Sequence, residues 1–271
     1  YAAGVKAIYS PKTGIVDFKK VSDAYSIEYR ENGGDLFTNT AVHNISKRGG
    51  KIILETSRGE IETERVINCA GLHADSVARM MGVDPGLRIV PFRGEYFSIK
   101  PEKEHMVKGL IYPVPNPSMP FLGVHFTKRI TGGVEAGPNA VLAMAREGYK
   151  KTDFNFKDIM GMFTFPGFWK MSATYWKIGV DEQYRSMRKS VFLKSLQTLM
   201  PDIQMEDLAE PGGGVRAQAV DKNGNLLQDF AVSETENAIH VLSAPSPGAT
   251  SSLTISRYIV DMAQKSFELV A

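Results

Sequence analysis

Arg216 stands in Val215-Arg216-Ala217, inside an apolar stretch with the texture of a strand. A guanidinium placed there needs an anion, because burying it unpaired is costly. Two kinds of partner fit. One is a nearby acid, Asp221 or Asp229; the other is the carboxylate of a bound molecule, which the arginine fork grips through two parallel hydrogen bonds. Arg93 begins the strand-like run Phe92-Arg93-Gly94-Glu95-Tyr96 and has Glu95 within reach as a partner. His125 alternates with Val124 and Phe126 and so faces away from both; a lone strand histidine is more often structural, but it is also the side chain suited to accept a proton near neutral pH. Tyr96 and Tyr112 offer hydroxyls to a substrate or to structural partners.

Other chemistries are weakly represented. His43, His73, His105 and His240 have no metal-ligand spacing, so no metal is expected. No G-x-S-x-G elbow accompanies the serines, which argues against a hydrolase. The single cysteine, Cys69, excludes an internal disulfide, suits a reducing compartment, and reads as a small core residue rather than a nucleophile. With a net charge of +2 and no basic cluster interleaved with aromatics, nucleic acid is not an expected partner. The longest apolar runs are too short to span a bilayer.

The elements that must hold these residues are legible in outline. Near the C-terminus, the buried strand Ala238 to Leu242 leads through Ala244-Pro245-Ser246-Pro247-Gly248-Ala249-Thr250-Ser251-Ser252 into a helix marked by Leu253, Ile255, Ile259, Val260 and Ala263. This turn of small residues lets a ligand approach the backbone, and the helix it opens favours an anionic group; a plain strand-to-helix connection is the alternative. Val66-Ile67-Asn68-Cys69-Ala70-Gly71 repeats the pattern, strand into small residues into a helix over Ala74, Val77, Ala78 and Met81.

In chain order, Ala3 to Ile15 reads as a loop and short strand, Asp17 caps a helix from Phe18 to Glu31, and Leu36 to Ile45 is a strand. Ile52 to Leu54 and Ile61 to Asn68 form two strands joined at Ser57-Arg58-Gly59-Glu60. Four β-like runs follow, Ile89 to Ile99, Leu110 to Val114, Leu122 to Thr127 and Ile130 to Ala136, with turns at Asn116-Pro117-Ser118 and Thr131-Gly132-Gly133. Gly137-Pro138-Asn139 is expected to open a helix through Val141, Leu142 and Ala145. Phe154 to Met200 is helical and rich in Met and aromatics, a stripe read as packing surface, with Asp181 to Leu199 as one solvated amphipathic helix. Val215 to Val220 returns to strand, turns at Asn223-Gly224, and pairs back through Leu226 to Val232.

Taken together, the C-terminal turn, Thr13-Gly14-Ile15-Val16-Asp17, Asn68-Cys69-Ala70-Gly71-Leu72, Val90-Pro91-Phe92-Arg93-Gly94-Glu95-Tyr96, Ile111-Tyr112-Pro113-Val114-Pro115, Pro120-Phe121-Leu122-Gly123-Val124-His125-Phe126 and Gly214-Val215-Arg216-Ala217-Gln218-Ala219 resemble, in order, the L-2-hydroxyglutarate dehydrogenase/oxidase family of D-amino-acid-oxidase-like flavoproteins. That family has Ala at the fifth position of the C-terminal turn, where this sequence has Gly248. The resemblance implies an α/β (α+β) protein: a Rossmann-like FAD-binding domain over residues 1–86 and 211–271, and an antiparallel-sheet substrate domain with a helical excursion over residues 87–210. It implies FAD as cofactor, met by Ala41, Val42, Cys69, Ala70, Gly71, Ser246, Pro247, Gly248, Ala249 and Thr250. It also implies a 2-hydroxy dicarboxylate as substrate, with Arg216, Tyr112, Tyr96 and His125 binding it, His125, Arg216 and Arg93 catalytic, and Arg93 either lining the flavin or pairing with Glu95; the alternative to His125 as base is a histidine that the family carries near its N-terminal flavin segment and this sequence lacks. The expected reaction is oxidation of L-2-hydroxyglutarate to 2-oxoglutarate, with oxygen or a quinone as electron acceptor. The expected location is the cytoplasm, with at most peripheral attachment at the inner membrane. The family's opening G-x-G-x-x-G has no counterpart here, so the sequence reads as a fragment, and a non-catalytic module or an amine-acid oxidase of the glycine/sarcosine kind stands as the alternative.

Overall fold

The computed structural model describes residues 1–115 and 122–269 and resolves into two compact units. Unit 1 comprises Tyr1–Asp17, Pro91–Gly161 and Ser172–Arg216; unit 2 comprises Phe18–Val90, Met162–Met171 and Ala217–Ala271.

Unit 2 begins with α1 (Phe18–Glu31), which Gly33 terminates in the left-handed region at φ 87. Of its apolar residues, Ala24, Tyr25 and Ile27 are exposed and Val21 is half-buried. The strand expected from Leu36 starts later. Thr38 and Asn39 form a turn, with Asn39 at φ 53, and β1 runs Val42–Arg48. β1, β2 (Lys51–Thr56) and β3 (Gly59–Thr63) form an antiparallel meander around buried Ile45, Ile52 and Ile53. The single strand expected from Ile61 to Asn68 is two: the chain leaves the meander at Glu64 and Arg65, and β4 (Val66–Asn68) joins a different sheet. There β4 runs parallel to β11 (Ala238–Ser243), which is buried throughout and pairs antiparallel with β10 (Ala231–Thr235). Between them in sequence lies α2 (Ala74–Met80), whose Ala78 joins Leu87, Ala219 and Leu242 in a core; α6 (Ser252–Ser266) covers Ile239 with Ala263.

Unit 1 is built on β5 (Leu87–Ile99), a long strand whose first residues belong to unit 2. In one sheet it pairs with β7 (Val134–Gly137), β8 (Val141–Leu142) and β9 (Leu208–Asp221), and β7 carries β6 (His125–Lys128) at the edge. The helix expected over Val141 and Leu142 is therefore β8, because these two residues pair with Arg93 and Phe92. Leu110 to Val114 contributes a single bridge, Ile111 to Phe126, rather than a strand. The Asn116-Pro117-Ser118 turn lies outside the described residues. Residues 1–17 form no strand.

Three helices follow: α3 (Phe156–Phe163), α4 (Pro166–Met187) and α5 (Lys189–Gln197). The amphipathic run expected as one helix breaks at Arg188, and α5 is not a solvated helix. Its Phe192, Leu193 and Leu196 pack with Ile99, Phe126, Val134 and Ala136 of the sheet. The Met and aromatic stripe divides. Met162, Phe165, Phe168 and Met171 are buried, whereas Met160, Phe163, Trp169 and Trp176 are exposed. No helix among the described residues is long and apolar enough to cross a membrane.

Candidate active site

In unit 1, strand alternation sends Phe97, Ile99 and Phe126 toward α5, and Tyr96 and His125 to the opposite face of the sheet. Tyr112 reaches that face by register. The antiparallel bridge between Ile111 and Phe126 sets Tyr112 opposite His125, and the two rings stack with centroids 4.4 Å apart and 20° between planes. Arg216, half-buried on β9, completes the group. It donates a hydrogen bond to the Tyr96 hydroxyl, and its charge is felt at His125. The structure thus brings together Tyr96, Tyr112, His125 and Arg216, all within one unit.

Protonation in this group follows from its contacts. His125 is 8 % exposed, and its Nδ1 lies 3.1 Å from the Gly123 carbonyl oxygen. A carbonyl only accepts, so Nδ1 carries the proton and Nε2 of the neutral ring keeps its lone pair. Burial lowers the His125 pKa, the Gly123 bond works against that, and the Arg216 charge adds to the lowering. The imidazole is therefore neutral at physiological pH and able to accept a proton. Burial raises the pKa of Tyr96, offset in part by Arg216, so its phenol stays protonated. With the arginine donating to its oxygen, the Tyr96 O–H is left to donate elsewhere.

Arg93 is not part of this group. It points to the other face of β5, where its Nε and Nη2 donate to the same Glu95 oxygen at 3.2 and 3.0 Å and its Nη1 donates to the Lys150 carbonyl. Asn139, expected only as part of a helix start, holds Glu95 further: its Nδ2 donates to the carboxylate and its Oδ1 accepts from the Glu95 backbone N–H. No sequence signal announces that pairing, which needs the tertiary approach of residues 44 apart.

In unit 2, the two turns of small residues leave from the same end of the parallel pair β4 and β11. Asn68 pairs with His240 in register, so β11 runs three residues further before its own turn. Asn68 also secures the first turn. Its Oδ1 accepts from the Ala70 N–H, while its Nδ2 donates to the Ala74 carbonyl and meets Nδ1 of His240. His240 is fully buried, burial lowers its pKa, and its Nε2 has no partner among the described residues. Cys69, expected in the core, is exposed, as are Ala70 and Gly71. In the second turn Ser246, Pro247, Ala249 and Thr250 are exposed and Gly248 is half-buried. Ala41 and Val42 are exposed at the start of β1, with the Ala41 N–H and carbonyl both bonded to Ser57.

A sequence model of the family described as FAD dependent oxidoreductase matches residues 2–262. The chain is 51% identical over 268 residues to L-2-hydroxyglutarate dehydrogenase of Indibacter alkaliphilus, covering 98% of this chain and 67% of that protein. It is 42% identical to the human mitochondrial L-2-hydroxyglutarate dehydrogenase, covering 99% of this chain and 62% of that one. Among solved structures it is similar to L-alpha-glycerophosphate oxidase of Mycoplasma pneumoniae with FAD bound, at TM-score 0.64 and 19% identity, covering 88% of this chain and 54% of that chain. Glycine oxidase of Bacillus cereus matches at TM-score 0.57 and 14% identity, covering 91% and 55%. The chain belongs to the FAD-dependent oxidoreductase family, in its L-2-hydroxyglutarate dehydrogenase branch. It spans about two thirds of the length of these curated relatives.

The residues of unit 2 fit FAD. Gly71 sits at φ 53 with open space where a Cβ would lie, and Gly248 lies so close to the Ala244 carbonyl that a Cβ would come within 2.9 Å of it. Each turn thus has one position of bare backbone among small residues, beyond the carboxyl ends of parallel strands, where α/β proteins bind nucleotides.

Proposed function

We propose that the protein to which this chain belongs oxidises L-2-hydroxyglutarate to 2-oxoglutarate, with Arg216, His125, Tyr96 and Tyr112 holding the substrate. The observation that carries this reading is His125: neutral, fixed through Nδ1, and set beside an arginine and a protonated tyrosine. Bound FAD supplies the two-electron acceptor for the hydride that leaves the substrate Cα. Arg216, whose charge is felt at both Tyr96 and His125, pairs with a substrate carboxylate. The Tyr96 hydroxyl donates to a substrate oxygen. His125 Nε2 takes the hydroxyl proton as the carbonyl forms, and Tyr112, stacked on the ring, keeps it oriented. Arg93, paired with Glu95 on the other face of β5, supports the strand from behind and does not reach a substrate held on the Tyr96 face.

Residues 1–86 and 211–271 would serve the cofactor, through Ala41, Val42, residues 69–71 and residues 246–250, and residues 87–210 would cover the substrate. Electrons pass on to oxygen or a quinone. We place the protein in the cytoplasm with at most peripheral membrane contact, for which exposed Trp176, Val180 and Met187 of α4 supply apolar surface.

The test is substrate choice. This chain, completed with the remaining length of the Indibacter relative, is mixed anaerobically with L-2-hydroxyglutarate, glycine or sarcosine while the flavin absorbance is followed. Bleaching by the hydroxy acid alone supports the reading, and bleaching by an amine acid alone refutes it.

A further inference from the structure

On the face of β5 opposite Tyr96, unit 1 contains a cavity of about 450 Å³ lined by Arg93, Glu95, Tyr149, Lys150, Lys151 and Gly212 among others. This size lies within the range of small-molecule clefts. Its walls carry three cations against one carboxylate. Glu95 is ionised: burial opposes its charge, but hydrogen bonds from Ser186, Asn139 and Arg93 and the nearby Lys151 ammonium outweigh burial and lower its pKa. One oxygen of Glu95 serves Arg93 at 3.0 Å and the other lies 3.5 Å from Lys151. The carboxylate is thus shared by two cations and neutralises one.

Arg93 is 6 % exposed and cannot leave for solvent as a surface arginine can. Three of its five N–H groups are taken, by Glu95 and the Lys150 carbonyl, which leaves donors on Nη1 and Nη2. Lys150 is exposed, and Lys151, 55 % exposed at its side chain, donates to the Ser186 carbonyl beside Glu95, so both add positive charge at the solvent side of the cavity. The walls are set by backbone: a Cβ on Gly213 would come within 2.6 Å of the Tyr149 carbonyl, so the strand presses against that loop, while a Cβ on Gly212 meets no atom within 4 Å.

We propose that this cavity is a second ligand site, separate from the Tyr96 face, that takes a small anion bearing a carboxylate or a phosphate. The excess positive charge of Arg93, Lys150 and Lys151 attracts it, and the spare guanidinium donors orient it. Binding here does not depend on the oxidation proposed for the opposite face.

The test uses isothermal titration of the chain with inorganic phosphate and, separately, acetate. It is done in an Arg216→Gln background so that the first anion-binding arginine does not contribute. The expected result is saturable one-to-one binding of at least one anion, weakened tenfold or more by Lys150→Ala with Lys151→Ala, and weakened likewise by Gly212→Leu. Circular dichroism of each variant should match that of its parent; both lysines are exposed and Gly212 has room, so folding is expected to survive. Binding of phosphate alone identifies a phosphate-bearing ligand, and binding of acetate alone a carboxylate. Absence of saturable binding by both anions, or binding that neither the lysine pair nor Gly212→Leu weakens, overturns the proposal.

Discussion

In the proposed reading, substrate recognition turns on Arg216. Its replacement by Gln removes a charge-assisted hydrogen bond worth about 1.5–3 kcal/mol. The flavin-loaded protein should then lose roughly 10- to 150-fold in kcat/KM for L-2-hydroxyglutarate. Steady-state kinetics checks this, and an unchanged kcat/KM would assign Arg216 a structural role. His125 yields a pH prediction. Its pKa in the folded protein lies below the ordinary 6.5, with burial as the main cause. In its proposed role as base, a neutral His125 accepts the substrate proton at neutral pH, and kcat/KM should fall on an acid limb lying below pH 6.5. Because Arg216 contributes to the lowering, Arg216→Gln should move that limb to higher pH. The same shift makes the unfolded chain bind more protons as pH falls through 6.5, so His125 costs stability on the acid side, and chemical denaturation at pH 7 and pH 5 measures it. The guanidinium on an apolar strand could be read in the sequence, because an arginine there demands a partner. The Tyr112–His125 stack could not. It depends on the one-bridge register between Ile111 and Phe126, which leaves no periodic pattern.

At the scale of elements, the sheet of unit 1 is held from behind by α5. Leu196 is fully buried in that interface, so Leu196→Ala should destabilise the chain by about 2–5 kcal/mol in urea denaturation. A loss under 1 kcal/mol would mean that α5 does not anchor the sheet. In unit 2, Asn68 fastens the turn after β4 through three side-chain contacts. Asn68→Ala leaves the buried His240 Nδ1 unpartnered and frees residues 69–73, so flavin affinity should drop along with thermal stability; fluorescence titration with FAD reads the first and a melt the second. Strands with strong alternation or dense apolar content, β5 and β11, were legible, as were α1, α2 and α6. The misplaced strands share a cause: local pattern does not reveal where pairing ends. Val141 and Leu142 suit a helix by composition but are taken by Phe92 and Arg93 in the sheet, and Ile61 to Asn68 looks continuous although its halves serve two sheets.

At the scale of the molecule, the residues proposed for recognition and those proposed for the cofactor divide between two units. Tyr96, Tyr112, His125 and Arg216 all lie in unit 1; Ala41, Val42, residues 69–71 and residues 246–250 all lie in unit 2. Residue order alone disclosed the family, since the motifs that carry it recur from Thr13 to Ser252. Which motifs share a surface required the fold. The most direct measurement is the anaerobic visible spectrum of the completed, flavin-loaded protein, as prepared and with Arg216→Gln, on addition of L-2-hydroxyglutarate. The parent should bleach rapidly, and the variant should bleach roughly 10- to 150-fold more slowly at subsaturating substrate. A yellow protein that L-2-hydroxyglutarate leaves yellow, or a variant that bleaches as fast as its parent, would contradict the proposed reading.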